Sequence, residues 1–379
     1  MSRAKQALFY AGTAALVLGA VELASFLFVR LRGERFTFFE PAGYTIDPAE
    51  LPNLRRAFDP ELGWQERYPT EFGERPRPAD YPTSLLAAFG DSYTHCDQVD
   101  DDETWPAYLA AAIDRNVFNF GSGGYGTDQA YLRFLRDYPR VRTPLVSLGL
   151  IPENINRVVS VYRKFYYPRT GIPATKPRFV LERSGLRLIE NPIQSSADLD
   201  RLQDPGFVAR LGRYDHWYNP GGLPLRAFPF SAIWFNRCFR RELVGHLEHS
   251  ISDIDPQPWA QLWRQPDARR LMFALLDRFE AQARNYGAIP IFVVLARKSE
   301  VRYRVVTGRH PEQLATLTAY LRRRGYNLFD AAQALASEAG SPKRLDRFYN
   351  NHLSARGNQL VAEHLRRYLD SRGWLATTP

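Results

Sequence analysis

Five short apolar runs recur along the chain and alternate with longer amphipathic stretches. The runs are SLLAAFG at 84–90, NVFNFG at 116–121, PLVSLGLI at 144–151, IPIFVVLA at 289–296 and YNLFDAA at 326–332. Apolar runs of this length, separated by stretches of helical periodicity, are typical of buried parallel strands joined by crossover helices. The pattern therefore predicts an α/β protein built on a parallel sheet.

The amphipathic stretches predict the crossover helices. They are TWPAYLAAAID at 104–114, TDQAYLRFLRDY at 127–138, a long helix at 266–286, EQLATLTAYLRRRG at 312–325 and a last helix at 355–371. Each places apolar residues at intervals of three or four, as a helix with one buried face requires.

Two segments depart from this alternation. Residues 36–80 are rich in proline and turn residues and predict an irregular lead-in. Residues 161–265, after the third strand, are loop-like and rich in proline, arginine and aromatic residues. We therefore assign 81–379 to one α/β domain with an insertion at about 161–265, placed over the carboxyl ends of the strands, where open α/β sheets bind ligands.

The N-terminal 35 residues predict a short cytoplasmic stub and a membrane anchor. Gln6–Val29 is mostly apolar, and its 24 residues make a helix of about 36 Å, long enough to cross a bilayer. A secretory signal usually has a shorter apolar stretch and a small-residue cleavage site. Glu22 is the one acidic residue in the stretch, and it needs neutralisation or a partner. Short N-terminal tails usually stay inside, which predicts a single-pass protein with an extracytoplasmic (periplasmic) body.

Charge and cysteine content exclude several classes of function. The net charge of +9 suits an anionic surface or polymer, but the longest Lys/Arg run of the body is Arg322–Arg324, so we expect no nucleic-acid partner. Cys96 and Cys238 are the only cysteines, so they form neither a disulfide framework nor a zinc motif. In an oxidising compartment the two could form a single bridge, and the sequence does not decide whether they meet. His246 and His249 have no third ligand in reach, so we expect no metal.

A glycine triple after the second predicted strand matches the dinucleotide-binding pattern G-x-G-x-x-G. Gly121, Gly123 and Gly126 form it. Such a site also needs an acidic residue about 20 positions later, where this chain has Ser147–Gly149. We therefore expect no nucleotide and no other cofactor.

Ser92, in FGDSYT, is the first candidate for chemistry. It follows the first predicted strand and precedes a helix, so its N–H lies at a helix N-terminus, where negative charge is favoured. That position suits a nucleophile whose attack generates an oxyanion. The alternative is that Asp91 or Ser92 simply caps the helix.

A serine nucleophile needs a base, and two histidines are candidates. His95 lies within one helical turn of Ser92, but its ring need not face the hydroxyl. His352, in FYNNHLSARGNQLVAEHL, precedes the last helix, for which Ser354 is the expected N-cap. A histidine in a loop at the mouth of the sheet can reach the serine, and the alternative is an ordinary surface histidine.

Two further blocks follow the ends of strands, NFGSGGYGTDQ at 119–129 and GLIPENINR at 149–157. With FGDSY and HLSxxG, they resemble the four ordered blocks of the SGNH hydrolases (the GDSL family) over 82–372, apart from the insertion. The resemblance implies a flavodoxin-like three-layer α/β/α sandwich. It also implies Ser92 as nucleophile, His352 as general base, and the Ser92 N–H, the Gly124 N–H and the Asn154 side chain as oxyanion donors.

The chain departs from the family pattern at two positions. Ile155 follows Asn154 where an Asp usually stands, and Glu153–Asn154 is an alternative register. Tyr349 occupies the place, three residues before the histidine, where the family often has an aspartate. Asn350, a backbone carbonyl or Asp346 would then orient the imidazole, and without an acid the pair is expected to work more slowly.

The aromatic and arginine-rich insertion has two interpretations. Its rings and cations can stack on sugars and bind acidic saccharides, or they can pack the insertion onto the domain. The residues concerned are Arg213, Tyr214, His216, Trp217, Tyr218, Trp234 and Phe235, of which Arg213, Tyr214 and Trp217 are the predicted substrate contacts.

The leading hypothesis is a membrane-anchored serine esterase that hydrolyses acyl esters, in particular acetyl esters, on a carbohydrate or cell-surface polymer. A related hypothesis is an O-acyltransferase, in which a saccharide hydroxyl replaces water and the same residues act. A third, of a different class, is a non-catalytic saccharide-binding or assembly protein that retains the fold.

Overall fold

The computed structural model describes residues 2–32, 44–168, 170–218, 229–231 and 258–376. Five residues singled out in the sequence lie outside these ranges, namely Trp234, Phe235, Cys238, His246 and His249.

The strands form one five-stranded sheet and two small antiparallel ribbons. In chain order they are β1 Phe58–Asp59, β2 Gly63–Trp64, β3 Ser84–Gly90, β4 Asn116–Gly121, β5 Leu145–Leu150, β6 Arg178–Glu182, β7 Gly185–Ile189, β8 Ile289–Val294 and β9 Leu328–Asp330. The large sheet has the order β4-β3-β5-β8-β9 with every neighbouring pair parallel. If these five strands are renumbered 1 to 5 in chain order, the sheet has the order 2-1-3-4-5. This is the strand order of flavodoxin-like folds, which confirms the predicted fold class.

Helices lie between and beyond these strands. They are α1 Arg3–Arg32, α2 Leu51–Ala57, α3 Ser92–His95, α4 Trp105–Ile113, α5 Thr127–Val141, α6 Asn154–Val158, α7 Arg163–Tyr166, α8 Pro205–Leu211, α9 Pro266–Asn285, α10 Lys298–Thr307, α11 Glu312–Arg323, α12 Ala331–Ala339, α13 Pro342–Leu345 and α14 Ala355–Ser371. Two groups of helices cover the sheet: α14 packs on α4 and α12, while α9 packs on α5 and α6. The apolar residues of these helices and of the five strands form one buried core. The result is three layers, as parallel sheets require.

Three glycines in register bring α3 down onto the sheet. Gly90 pairs with Gly121 on one side and with Gly149 on the other, at the carboxyl ends of their strands. A Cβ at Gly90 or Gly149 would overlap the Thr94 hydroxyl, and one at Gly121 would overlap the backbone of His95. Since glycine has no Cβ, the first helical turn after β3 can lie directly on the strand ends.

The lead-in and the insertion share a second apolar core. Trp64 Nε1 donates to the Gly123 carbonyl over 2.9 Å, and the Tyr125 hydroxyl donates to the Trp64 carbonyl over 2.6 Å. From the insertion, the buried Lys176 ammonium pairs with Asp128 of α5. The lead-in therefore differs from the irregular segment that was expected: it contains α2 and the β1–β2 ribbon, because its apolar side chains are buried against the insertion.

The N-terminal helix α1 stands apart from both cores. Its segment Arg3–Leu27 has a mean hydropathy of 1.7 and is long and apolar enough to cross a membrane, a property that signal sequences share. Glu22 accepts hydrogen bonds from the backbone N–H groups of Phe230 (2.7 Å) and Ser231 (3.1 Å). The acidic residue of the apolar stretch is thereby paired with a short piece of the insertion.

Candidate active site

Ser92 is the first residue of α3 and lies at the carboxyl edge of β3. The Asp91 side chain caps the helix by accepting the Tyr93 N–H over 2.8 Å, and Ser92 itself is 4% exposed. Burial raises the pKa of the Asp91 carboxyl, and the nearby Arg157 guanidinium opposes the shift. Because Asp91 provides the cap, the Ser92 hydroxyl is left for another role.

His352 faces Ser92 from the loop before α14. Its Nε2 lies 2.9 Å from Ser92 Oγ, within hydrogen-bond reach. The loop is held by its own turn, in which the Asn350 N–H donates to the His352 carbonyl over 2.9 Å, and by Gln98, whose side chain accepts the His352 N–H over 3.3 Å. The Tyr93 ring lies 4.8 Å from the imidazole between centroids. These contacts keep the ring over the serine.

The other imidazole nitrogen has no such partner. His352 Nδ1 is buried and, within the described part of the chain, makes no hydrogen bond. Tyr349 donates its hydroxyl to the Ala296 carbonyl over 2.9 Å, and Asp346 pairs with Lys298 and Arg302 at 2.8 Å each. Asn350 is exposed, and among the described residues it hydrogen-bonds to His352 through its backbone N–H and not through its side chain. Neither predicted orienting side chain therefore bonds to Nδ1: the Asp346 carboxylate is held by two cations, and Asn350 is exposed at the edge of the cleft.

Burial dominates the electrostatics of the histidine. It lowers the pKa of His352 below the ordinary value of 6.5, although the carboxylates of Asp97 and Asp91 act in the opposite direction. The neutral imidazole, which can accept a proton, is thereby favoured.

The Gly124 turn lies beside the pair. Gly124 adopts a left-handed conformation with φ +77°, which favours glycine, and a Cβ there would overlap the Arg163 guanidinium. In the described ranges, neither the Gly124 N–H nor the Ser92 N–H donates to another protein group. Both donors are therefore left for a ligand.

The structure supports Asn154 less directly than Ser92 and Gly124 as an oxyanion donor. It begins α6, is 1% exposed, and its amide lies near the Asp91 carboxyl, whose pKa it helps to lower against the effect of burial. It is not among the described residues that line the cleft, whereas Glu153 and Asn156 are. Its role as an oxyanion donor stays a prediction.

Ser92 and His352 open into a cleft of about 1240 Å³. Aromatic rings and cations line it, among them Tyr166, Tyr167, Trp217, Trp259, Arg157, Arg163, Arg297, Lys298 and Arg302. Of the three predicted substrate contacts, Trp217 lines the cleft, but Arg213 and Tyr214 do not. Both residues are exposed, and the Tyr214 carbonyl accepts a hydrogen bond from Arg178. The cleft cations come from α6, α7, α10 and the residue before α10, and no local sequence pattern predicts that they converge.

His95 and Cys96 take no part in the Ser92–His352 pair. His95 Nδ1 bonds with Asp97 (2.6 Å) and Nε2 with Glu66 (2.9 Å). Burial disfavours the charged imidazole of His95, but the bonds to Asp97 and Glu66 outweigh burial and raise its pKa. The hydrogen bond from His95 in turn lowers the pKa of Glu66 to about 2. Burial raises the pKa of the Cys96 thiol to about 12, so it is unreactive. The described residues contain no cluster of side chains suited to a metal ion.

Comparison with known proteins finds similarity in solved structures alone. No family model matches the chain, and no curated protein sequence matches it. A lipolytic protein of the G-D-S-L family from Desulfitobacterium hafniense is 13% identical, covers 76% of this chain and 100% of its own, and has a TM-score of 0.37. An acetylxylan esterase from Geobacillus stearothermophilus is 11% identical, with coverages of 77% and 95% and a TM-score of 0.36. An α/β hydrolase enzyme from the metagenome of Lake Arreo is 11% identical, with coverages of 78% and 98% and a TM-score of 0.38.

Proposed function

We propose that the protein is a serine esterase of the SGNH hydrolase type that removes acyl groups, in particular acetyl groups, from a carbohydrate or cell-surface polymer. The observation that carries this proposal is the 2.9 Å contact between Ser92 Oγ and His352 Nε2 at the carboxyl edge of the sheet. A serine at a helix N-terminus, in contact with a neutral imidazole, is the arrangement that nucleophilic acyl transfer needs.

The reaction proceeds in two steps. Ser92 Oγ attacks the acyl carbonyl while its proton passes to His352 Nε2, and the C–O bond to the alcohol breaks as His352 returns that proton to the leaving oxygen. Water then attacks the acyl-serine, gives a proton to His352, and releases the carboxylic acid as the proton returns to Ser92 Oγ. The N–H groups of Ser92 and Gly124 stabilise the oxyanion, and Asn154 is the third proposed donor. Each such donor contributes roughly 3 kcal/mol in the transition state.

The unpartnered His352 Nδ1 has a kinetic consequence. A triad acid fixes the tautomer of the histidine and stabilises the imidazolium. Here the turn at Asn350 and the Tyr93 ring hold the imidazole, while Asp97 and Asp91 supply negative charge without a hydrogen bond to it. The esterase is therefore expected to be slower than one with a full triad.

The unpartnered Nδ1 of His352 also favours a second candidate function, that of a saccharide-binding or assembly protein without catalytic activity. A former catalytic site that has lost its activity would also have a histidine without an orienting acid. An O-acyltransferase uses the same residues as the esterase and differs in needing a saccharide hydroxyl as acceptor.

The proposed location is the outer face of a membrane. The apolar helix α1 would anchor the chain, and the body with its cleft would face the extracytoplasmic side, where a cell-surface polymer is accessible.

Hydrolysis of 4-nitrophenyl acetate by the full-length protein in detergent tests the proposal. Ser92→Ala is expected to reduce kcat by at least roughly a thousandfold, since the nucleophile is removed. Ser337→Ala is the matched control, because Ser337 is exposed and, within the described ranges, its hydroxyl bonds only to the Gln333 carbonyl of its own helix. Equal activity of wild type and Ser92→Ala would contradict the proposal, and acetyl release that requires an added saccharide would identify the transferase.

A further inference from the structure

Among the described residues, five cations line the cleft beside Ser92, and four of them are paired with carboxylates. Arg157 and Arg297 both contact Glu153, at 3.4 and 3.5 Å. Lys298 and Arg302 both contact Asp346, at 2.8 Å each. Two carboxylates therefore serve four cations, and each of these four cations has a carboxylate within 3.5 Å.

Arg163 is the fifth cation and differs from the others. None of the ion pairs formed by described residues includes it. Its hydrogen bonds go to neutral oxygens: Nε donates to Thr170 Oγ1 over 2.6 Å, and Nη1 donates to the Gly124 carbonyl over 2.8 Å and to the Tyr166 hydroxyl over 3.3 Å. The Glu153 carboxylate, already in contact with Arg157 and Arg297, acts on Arg163 electrostatically but forms no ion pair with it. A bound anion would give the half-buried Arg163 a negative partner at contact distance.

The remaining donor group of Arg163 is available to such a ligand. Nη2 makes no hydrogen bond to a described residue and is not sealed from solvent. Since Nε and Nη1 are already fixed, the guanidinium is oriented before a ligand arrives, which reduces the entropy lost on binding. Tyr167, 49% exposed, lies 5.8 Å from the guanidinium and adds a ring on which a sugar can stack.

We propose that Arg163 binds an oxyanion substituent of the substrate, a carboxylate or a sulfate, and that the natural substrate is an ester of an acidic saccharide. This inference rests on the proposed esterase function and names its substrate class. Because Arg163 contacts Gly124, whose N–H is a proposed oxyanion donor, the bound anion belongs to the sugar that bears the ester or to its neighbour. Arg163 is a specificity residue in this scheme.

Binding measured without turnover tests the inference independently of catalysis. The protein is full-length Ser92→Ala in detergent, the signal is tryptophan fluorescence, and the ligands are oligogalacturonate and a sulfated oligosaccharide, each beside its neutral counterpart (the uronamide and the unsulfated sugar). At least one acidic ligand is expected to bind roughly ten- to a hundredfold more tightly than its neutral counterpart. The pair that shows the preference distinguishes carboxylate from sulfate. Equal affinity within both pairs would overturn the inference.

A second substitution locates the preference. Adding Arg163→Gln is expected to abolish the difference in affinity, whereas Arg210→Gln, on the exposed surface of α8 and outside the cleft, is expected to keep it. Loss of the preference in Arg210→Gln, or its survival in Arg163→Gln, would contradict the assignment.

Kinetics on acetylated substrates separate this inference from the esterase proposal. In Arg163→Gln the ratio of kcat/KM for the acidic over the neutral acetylated saccharide should fall toward one. If kcat/KM fell equally for both, Arg163 would act only by supporting the Gly124 turn, and the inference would be wrong. If Ser92→Ala hydrolysed esters as well as wild type, the esterase proposal would fail instead, and the binding result would still stand.

Discussion

His352 Nε2 lies 2.9 Å from Ser92 Oγ although the two residues are 260 positions apart in the chain. The contact depends on both ends of the domain. Glycines at the ends of β3, β4 and β5 let α3 lie on the sheet, and α14 packs on α4 so that the loop preceding it reaches the same edge. The packing of the fold, more than any local motif, sets the distance between the two side chains.

Gly124→Ala tests the role of the glycine turn. The substitution puts a side chain at φ +77° and against the Arg163 guanidinium, so we expect the free energy of unfolding to fall by about 1 kcal/mol and kcat on 4-nitrophenyl acetate to fall roughly ten- to a hundredfold. Gly325→Ala is the matched control, since Gly325 has φ +70° with no atom near its missing Cβ. It should show a similar loss of stability with kcat unchanged. Equal effects on kcat would contradict a special role for the Gly124 turn.

The pH dependence of activity follows from the buried state of His352. Only the neutral imidazole accepts the serine proton, and burial lowers the pKa of His352 below 6.5. We therefore expect kcat/KM for a neutral ester to rise with pH through a midpoint below 6.5 and to be level above it. A midpoint above 6.5 would show that a carboxylate reaches the imidazole in solution.

The lowered pKa of His352 also makes the free energy of unfolding depend on pH. Because the unfolded chain protonates His352 more readily than the folded one does, this residue contributes stability above pH 6.5 that is lost as the pH falls through its folded pKa. Comparing wild type with His352→Gln in denaturant titrations on both sides of pH 6.5 measures this contribution.

Tyr349→Phe tests whether the residue in the position of the usual acid orients the histidine. The Tyr349 hydroxyl donates to the Ala296 carbonyl, so its loss should lower the free energy of unfolding by about 1 kcal/mol while kcat and the acid midpoint stay unchanged. Tyr108→Phe is the control, because the Tyr108 hydroxyl makes no hydrogen bond within the described chain. A shifted midpoint in Tyr349→Phe alone would mean that Tyr349 does act on His352.

Periodicity predicted the parts of the fold that repeat. The five apolar runs became the five parallel strands, and the last helix was predicted at 355–371, where α14 lies. Each of these elements carries its burial pattern within its own sequence, so no distant contact is needed to recognise it.

The features that the sequence did not reveal depend on contacts between distant segments. Helix α2 is buried by residues of the insertion, and its proline-rich surroundings suggested an irregular chain. The cleft cations, Arg163 among them, converge only after α6, α7 and α10 are placed on the sheet. For the same reason Arg213 and Tyr214 were assigned to substrate from composition, and they lie elsewhere.

Labelling with a fluorophosphonate tests the central claim most directly, because the reagent reacts with a serine only when a base activates it. The full-length protein, with its fold verified by circular dichroism, is treated with the reagent, and the modified peptide is identified by mass spectrometry. We expect one label, on the peptide containing Ser92, and a loss of labelling in both Ser92→Ala and His352→Ala. A correctly folded protein that remains unlabelled, or that is labelled at a different serine, would contradict the assignment of Ser92 and His352 as a catalytic pair.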